Sequence, residues 1–115
     1  MNAYQGRCHC GAIRFSFSGP ETIDRGLRCN CSICRRKGAL WVYYATRQVR
    51  LIPATGATSI YLWGDKTIEF HSCKVCACST HWEAVDKSHN RMGVNARMMD
   101  PAIVAAAKVK KISGP

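Results

Sequence analysis

Residues 6–17 read Gly6-Arg7-Cys8-His9-Cys10-Gly11-Ala12-Ile13-Arg14-Phe15-Ser16-Phe17, and this stretch decides the fold. Ile13, Phe15 and Phe17 alternate with Arg14, Ser16 and Ser18, the period of a half-buried strand. Gly19-Pro20 ends it. Residues 4–7 supply its partner, so Cys8 and Cys10 fall in the turn of a β-hairpin, where Gly11 gives the backbone freedom the turn needs. Two thiolates on such a turn can converge on one metal ion, and zinc is the default expectation for sulfur ligands.

The rest of the chain repeats that pattern. Eight cysteines occur in 115 residues, and seven fall in three clusters: Cys8/Cys10, then Cys29/Cys31/Cys34, then Cys73/Cys76. Cys78 follows the last. A disulfide framework is the competing reading. Alternate side chains on a strand point to opposite faces, so a C-x-C bridge would be strained. Residues 1–6 carry neither a basic segment nor an apolar one of the secretory kind, and metal-binding thiols in a cytoplasmic chain are the expectation.

Periodicity predicts further strands over residues 27–29, 40–45, 58–63, 66–72, 80–85, 92–97 and 109–112. Gly64-Asp65 suits a two-residue hairpin link, and residues 86–90 form a polar loop. Residues 32–37 fit one helical turn stopped by Gly38. Asp100-Pro101, a capping residue before proline, starts a short helix reaching about residue 107. The expectation is one domain over residues 1–115, mainly β, with small antiparallel sheets, zinc knuckles at hairpin ends and one short C-terminal helix.

The ligand count divides the cysteines. Cys8, Cys10, Cys73 and Cys76 complete a tetrahedron, which makes a structural site and stabilises a small sheet protein. Cys29, Cys31 and Cys34 fill three corners and leave one for chemistry. Cys78, His71, His81 and His9 are the residues able to close that corner, Cys78 foremost because a thiolate suits a site of thiolates. His71 and His81 otherwise face solvent or make ordinary hydrogen bonds, and His9 is a turn residue. Trp41, Tyr43, Tyr44, Trp63 and Trp82 read as core or pocket wall.

Lys and Arg number 17 against 7 Asp and Glu, a formal charge of +10. Seven thiolates on two divalent ions remove seven charges and return four, leaving +7, so an anionic partner fits. No apolar run is long enough to span a bilayer, and no membrane partner is expected. A nucleic-acid-binding zinc knuckle, or a structural interaction module without catalysis, is the alternative class. Its scattered basic residues and incomplete cysteine triplet count against it.

Taken in order, the motifs G-x-C-x-C-G (6–11), C-x-C-S-x-C-R (29–35), C-x-x-C (73–76) and Val94-Asn95 with Asp100 resemble the glutathione-dependent formaldehyde-activating enzyme family, whose domain is shared with centromere protein V. The resemblance covers residues 6–100. It implies a β-tent fold, a structural zinc on Cys8, Cys10, Cys73 and Cys76, and a catalytic zinc on Cys29, Cys31 and Cys34, two Zn²⁺ per chain. The activity it implies is a carbon–sulfur lyase reaction in reverse, joining formaldehyde to the thiol of glutathione as S-hydroxymethylglutathione. Arg35 and Arg36 beside the triplet could steer the anionic thiol, and Asn95 is expected to serve its strand. Asn30 stands where the family usually has His, and Ala77 where it usually has Gly; neither change removes a ligand.

Overall fold

Alternation of apolar and polar side chains organises the chain into strands that bury one face. The computed structural model describes residues 2–24, 26–29, 31–53, 56–64 and 66–112. Arg25, Asn30 and Asp65 lie outside these, and with them the Asn30 substitution and half of the Gly64-Asp65 link. The chain is mainly β. In order it forms β1 (Asn2–Arg7), β2 (Arg14–Gly19), β3 (Gly26–Cys29), α1 (Ser32–Lys37), β4 (Trp41–Tyr44), β5 (Val49–Ile52), β6 (Thr58–Leu62), β7 (Ile68–Cys73), β8 (Ser79–Ala84), β9 (Met92–Asn95), α2 (Pro101–Ala106) and β10 (Val109–Ile112).

These strands make two sheets, β1-β2-β5 and β10-β3-β4-β9-β8-β7-β6. Every pairing is antiparallel except that of β10 with β3, where Val109 lies opposite Gly26 and Lys110 opposite Leu27. The expected closing strand is therefore present, but it runs beside β3 in the same direction. Most predicted elements fall within one or two residues of their observed bounds. β5 is an addition. Its Val49 and Leu51 turn inward against Phe17 and Phe15 of β2, but four residues ending at Pro53 are too short a run to declare a strand by period alone.

The core lies between the sheets. Tyr4, Phe15 and Phe17 from the small sheet meet Val42, Tyr44, Met92 and Val94 from the large one, with Ile23, Leu40 and Met99 at the margins. Phe17 and Tyr44 rings stand 4.5 Å apart. Asn95 is 2 % exposed and fully engaged. Its Oδ1 accepts from the Leu40 and Arg97 amides, and its Nδ2 donates to the Ser79 carbonyl. It ties β9 to the segments on either side, the structural role expected of it.

The opposite face of the large sheet carries a second apolar group. Trp41, Tyr43, Phe70 and Trp82 project there from β4, β7 and β8, with Trp41 6.1 Å from Phe70 and Tyr43 5.7 Å from Trp82. Trp82 lies opposite Gly93 of β9, and its indole occupies the space a β-carbon on Gly93 would need.

Two substitutions test this packing. Gly93→Ala must push the Trp82 indole aside, and overpacking of this kind costs about 1–3 kcal/mol. Urea unfolding should show that loss, with a changed near-ultraviolet signal from the tryptophans. Ala77 holds φ at 66°, a left-handed conformation that disfavours a side chain by roughly 1–2 kcal/mol, and its N–H closes a turn onto the Cys73 carbonyl at 2.9 Å. Ala77→Gly removes that strain against a smaller entropic cost, so the same measurement should show a gain of about 0.5–1 kcal/mol.

Candidate metal centres

The β1–β2 hairpin turn and the end of β7 bring the first sulfur cluster together. Cys8 N–H donates to the Ile13 carbonyl at 3.0 Å, tightening the turn so that Cys8 and Cys10 present their sulfurs 3.6 Å apart. Cys10 lies 3.6 Å from Cys73, and Cys76 completes a group whose sulfurs all stand within 4.8 Å of one another. Sulfurs bound tetrahedrally to zinc at about 2.3 Å stand roughly 3.8 Å apart, whereas a disulfide needs about 2.05 Å. All eight cysteines are free thiols. The donor set fits a thiophilic divalent ion.

Backbone amides point at the sulfurs. Ile13 N–H donates to Cys8 and Val75 N–H to Cys73, each at 3.4 Å. The Cys76 thiol is pulled down to about 5, chiefly by the amides of Cys10 and Cys78. Cys8 and Cys73 are buried, so two ligands come from the interior, whereas Cys10 is exposed.

The second cluster is built at the β3–α1 junction. Cys29 ends β3, Cys31 caps α1 and Cys34 lies within it; their sulfurs fall within 4.8 Å of one another. Gly38, at φ 62°, terminates the helix as predicted and returns the chain into β4. Burial opposes ionisation of Cys31, yet the Cys34 amide, the thiols of Cys34 and Cys29 and the Ile33 amide together outweigh it and hold the thiol below its ordinary range. Burial pushes Cys34 up to about 12, although Trp41 Nε1 donates to its sulfur at 3.4 Å. Ala39, Trp41 and Phe70 enclose the cluster, with Ile33, Tyr43, Ile68 and Trp82 beside them. This donor set also fits a metal ion.

None of the four residues considered for its fourth corner groups with it among the described residues. Cys78 packs with Cys8, Ile13, Cys73 and Cys76, at the other cluster, because only Ala77 separates it from Cys76. His9 sits in the exposed hairpin turn. His71 and His81 are buried rather than solvent-facing, and their rings stack 4.4 Å apart on the far side of the β7–β8 pair. Burial, with the facing His81, holds His71 below its ordinary value.

The basic residues near the triplet fall into two kinds. Arg35 and Arg36 are exposed on α1, and Arg36 donates to the Ser32 carbonyl at 2.9 Å. Lys37 is the one that folds inward, donating to Ser79 Oγ at 3.1 Å with its ammonium 5.7 Å from the Phe70 ring centroid. Sequence reasoning missed Arg91, which lies 4.7 Å over the Tyr43 ring. Tyr43 belongs to the group around the triplet and also walls a cavity of ≈ 630 Å³, lined by Asp24, Tyr44, Gln48, Arg91 and Lys110 among others. Burial, then the nearby Cys34 sulfur, pushes its phenol up to about 12, so it is a neutral hydroxyl there. Arg91 follows a polar loop and belongs to no motif, which is why spacing gave no signal for it.

No helix is long and apolar enough to cross a membrane among the described residues. A crystal structure of a Rhodobacter sphaeroides protein is similar to this chain, with a TM-score of 0.74 and 25% identity over 92% of this chain and 99% of that one. Residues 3–112 match the model of the glutathione-dependent formaldehyde-activating enzyme family, and the chain belongs to that family.

Proposed function

We propose that this chain is a zinc-dependent carbon–sulfur lyase-type enzyme that joins a thiol, glutathione, to a small aldehyde, formaldehyde. In the forward direction the sulfur–carbon bond forms, the carbonyl π bond becomes a C–O single bond, and the thiol proton passes to oxygen, giving S-hydroxymethylglutathione. Membership of the family supports this reading. The observation that carries it is the three-sulfur cluster, Cys29, Cys31 and Cys34, grouped with no other protein donor among the described residues. In this reading Cys8, Cys10, Cys73 and Cys76 hold a structural zinc in a cytoplasmic protein.

Bound by the three sulfurs, zinc would supply Lewis-acid chemistry, keeping a thiol ionised or drawing electrons from a carbonyl oxygen. The chain's own residues do the rest. Trp41 orients Cys34 through its indole N–H, and Phe70, Trp82 and Tyr43 keep bulk water from the sulfurs. Arg91 and Lys110 give the adjoining cavity two cations suited to the carboxylates of glutathione, while Tyr43 and Gln48 offer neutral hydrogen-bonding groups. The cavity lies within the range of small-molecule sites, roughly 300–1,000 Å³.

Cobalt substitution separates the two centres, because thiolate-bound Co²⁺ shows intense sulfur-to-metal charge transfer. Cys31→Ala should lose about half of that absorption, keep its cooperative unfolding, and no longer accelerate exchange between free formaldehyde and its glutathione adduct by NMR. Cys76→Ala should lose cooperative unfolding as well. Like behaviour in the two variants would overturn the division into structural and catalytic sites. Arg91→Ala should raise KM for glutathione about tenfold with kcat nearly unchanged, the loss of one charge-assisted contact.

A further inference from the structure

The face of the β7–β8 pair turned away from the three-cysteine cluster carries two cross-strand pairs, Glu69 opposite Glu83 and His71 opposite His81. The imidazoles are buried, at 7% and 3% exposure. Each has its Nδ1 against a threonine hydroxyl: His71 and Thr58 Oγ1 at 2.6 Å, His81 and Thr80 Oγ1 at 2.9 Å. Thr80 directs its own hydroxyl hydrogen toward the His71 carbonyl at 3.5 Å. With its hydrogen so placed, its oxygen accepts from His81 Nδ1–H, the tautomer of a neutral ring that leaves Nε2 with a lone pair for a metal ion.

Both Nε2 atoms turn to one carboxylate oxygen. Glu83 Oε2 lies 3.2 Å from Nε2 of His71 and 3.4 Å from Nε2 of His81, and Glu69 Oε1 lies 3.3 Å from Nε2 of His71. Either a proton on Nε2 or a metal cation can hold groups that converge in this way. A proton would draw an imidazole and a carboxylate to about 2.7–2.9 Å. Lys87 and Glu69, in the same cluster, meet at 2.8 Å. The three imidazole–carboxylate separations are all longer. Nitrogen and oxygen donors held tetrahedrally at about 2.0–2.1 Å from a metal stand roughly 3.3–3.4 Å apart, which is the spacing found.

We propose that Nε2 of His71, Nε2 of His81 and the Glu83 carboxylate form a third metal site, for a borderline divalent transition ion such as zinc, with Glu69 as a further donor. The three ligand atoms already lie within 4.8 Å of one another. Thr58 and Thr80 fix ring tautomer and orientation, the task of outer partners at histidine metal sites. The donors are nitrogen and oxygen, so this site accepts a wider range of divalent ions than the sulfur clusters do. Two carboxylates facing a single ammonium, Lys87, provide the charge that such an ion neutralises.

Equilibrium dialysis against Co²⁺ of the full chain loaded with two zinc ions, enough for the sulfur clusters alone, tests this, read by metal analysis and visible absorption together. One Co²⁺ per chain should be retained without sulfur-to-metal charge transfer. Glu83→Gln, which keeps the side chain's shape at a partly exposed position, should weaken its retention at least tenfold; His81→Asn should abolish it. The proposal falls if no cobalt is retained, if all retained cobalt carries the thiolate absorption, or if both variants retain it as the parent does. Those outcomes would leave the imidazoles as simple ion-pair partners. The thiolate bands report the cysteine clusters separately, so failure here is distinguishable from failure of the proposed function.

Discussion

Everything in this molecule is arranged around a meeting of sulfurs from two distant parts of the chain. Cys10 and Cys73, 63 positions apart, stand 3.6 Å from each other, near the separation of two sulfurs on one metal ion. The meeting fixes the β1–β2 hairpin of the small sheet to the end of β7 in the large one. Backbone amides of Ile13, Val75, Cys10 and Cys78 surround the sulfurs, and those of Cys10 and Cys78 favour the ionised form of Cys76. Closing so long a loop is entropically costly, and a metal bound there only by the folded state would offset that cost by an amount on the order of 10 kcal/mol. The core between the sheets is modest, so this cross-link is the natural site of most of the fold's resistance to unfolding.

A second constraint follows from the period of the strand. Successive residues of β7 and β8 face opposite ways, so Phe70 and Trp82 close over the three-cysteine cluster while His71 and His81 turn to the other side. One hairpin thus serves two chemistries. A one-residue slip in its register would bring imidazoles to the sulfurs and indole to the carboxylates. The irregularity between His71 and Ser72 lies where that register changes, just before the sulfurs of Cys73 and Cys76. Gly93 completes the arrangement from β9, because only a residue without a side chain lets the Trp82 indole lie across it.

Much of this was legible in the residues. The period-two runs gave nearly all the strands, Asp100-Pro101 gave α2, Gly38 gave the end of α1, and motif order gave the family. The parts that were not legible depend on contacts between distant segments. No local pattern says that β10 will pair in parallel with β3, or that a four-residue run at Val49 will extend the small sheet. Cys78 resembled a ligand for the triplet by chemistry alone, yet the turn at Ala77 holds it near Cys76. His71 and His81 read as polar positions on alternating strands, and their burial became visible only when the strands were paired. Ala77 shows the converse: the family's usual glycine there has a physical reason, the left-handed backbone.

The proposed chemistry asks little of the protein in bond-making and much in binding. Thiols add to formaldehyde readily in water, so a catalyst gains most by holding both reactants in one geometry and by keeping the sulfur ionised in an apolar setting. The site is built that way. Three sulfurs occupy the apolar end, among Trp41, Phe70 and Trp82, and the adjoining cavity carries Arg91 and Lys110. Tyr43 stands between the two, touching the sulfur cluster's surroundings with its ring and the cavity with the same side chain. A charged tripeptide thiol matches that polarity, with carboxylates at the cationic wall and sulfur toward the cysteines. In the proposed reaction an uncharged thiol of similar size would gain the second contact without the first, which would place selectivity among thiols in the cavity wall and reactivity in the sulfur cluster.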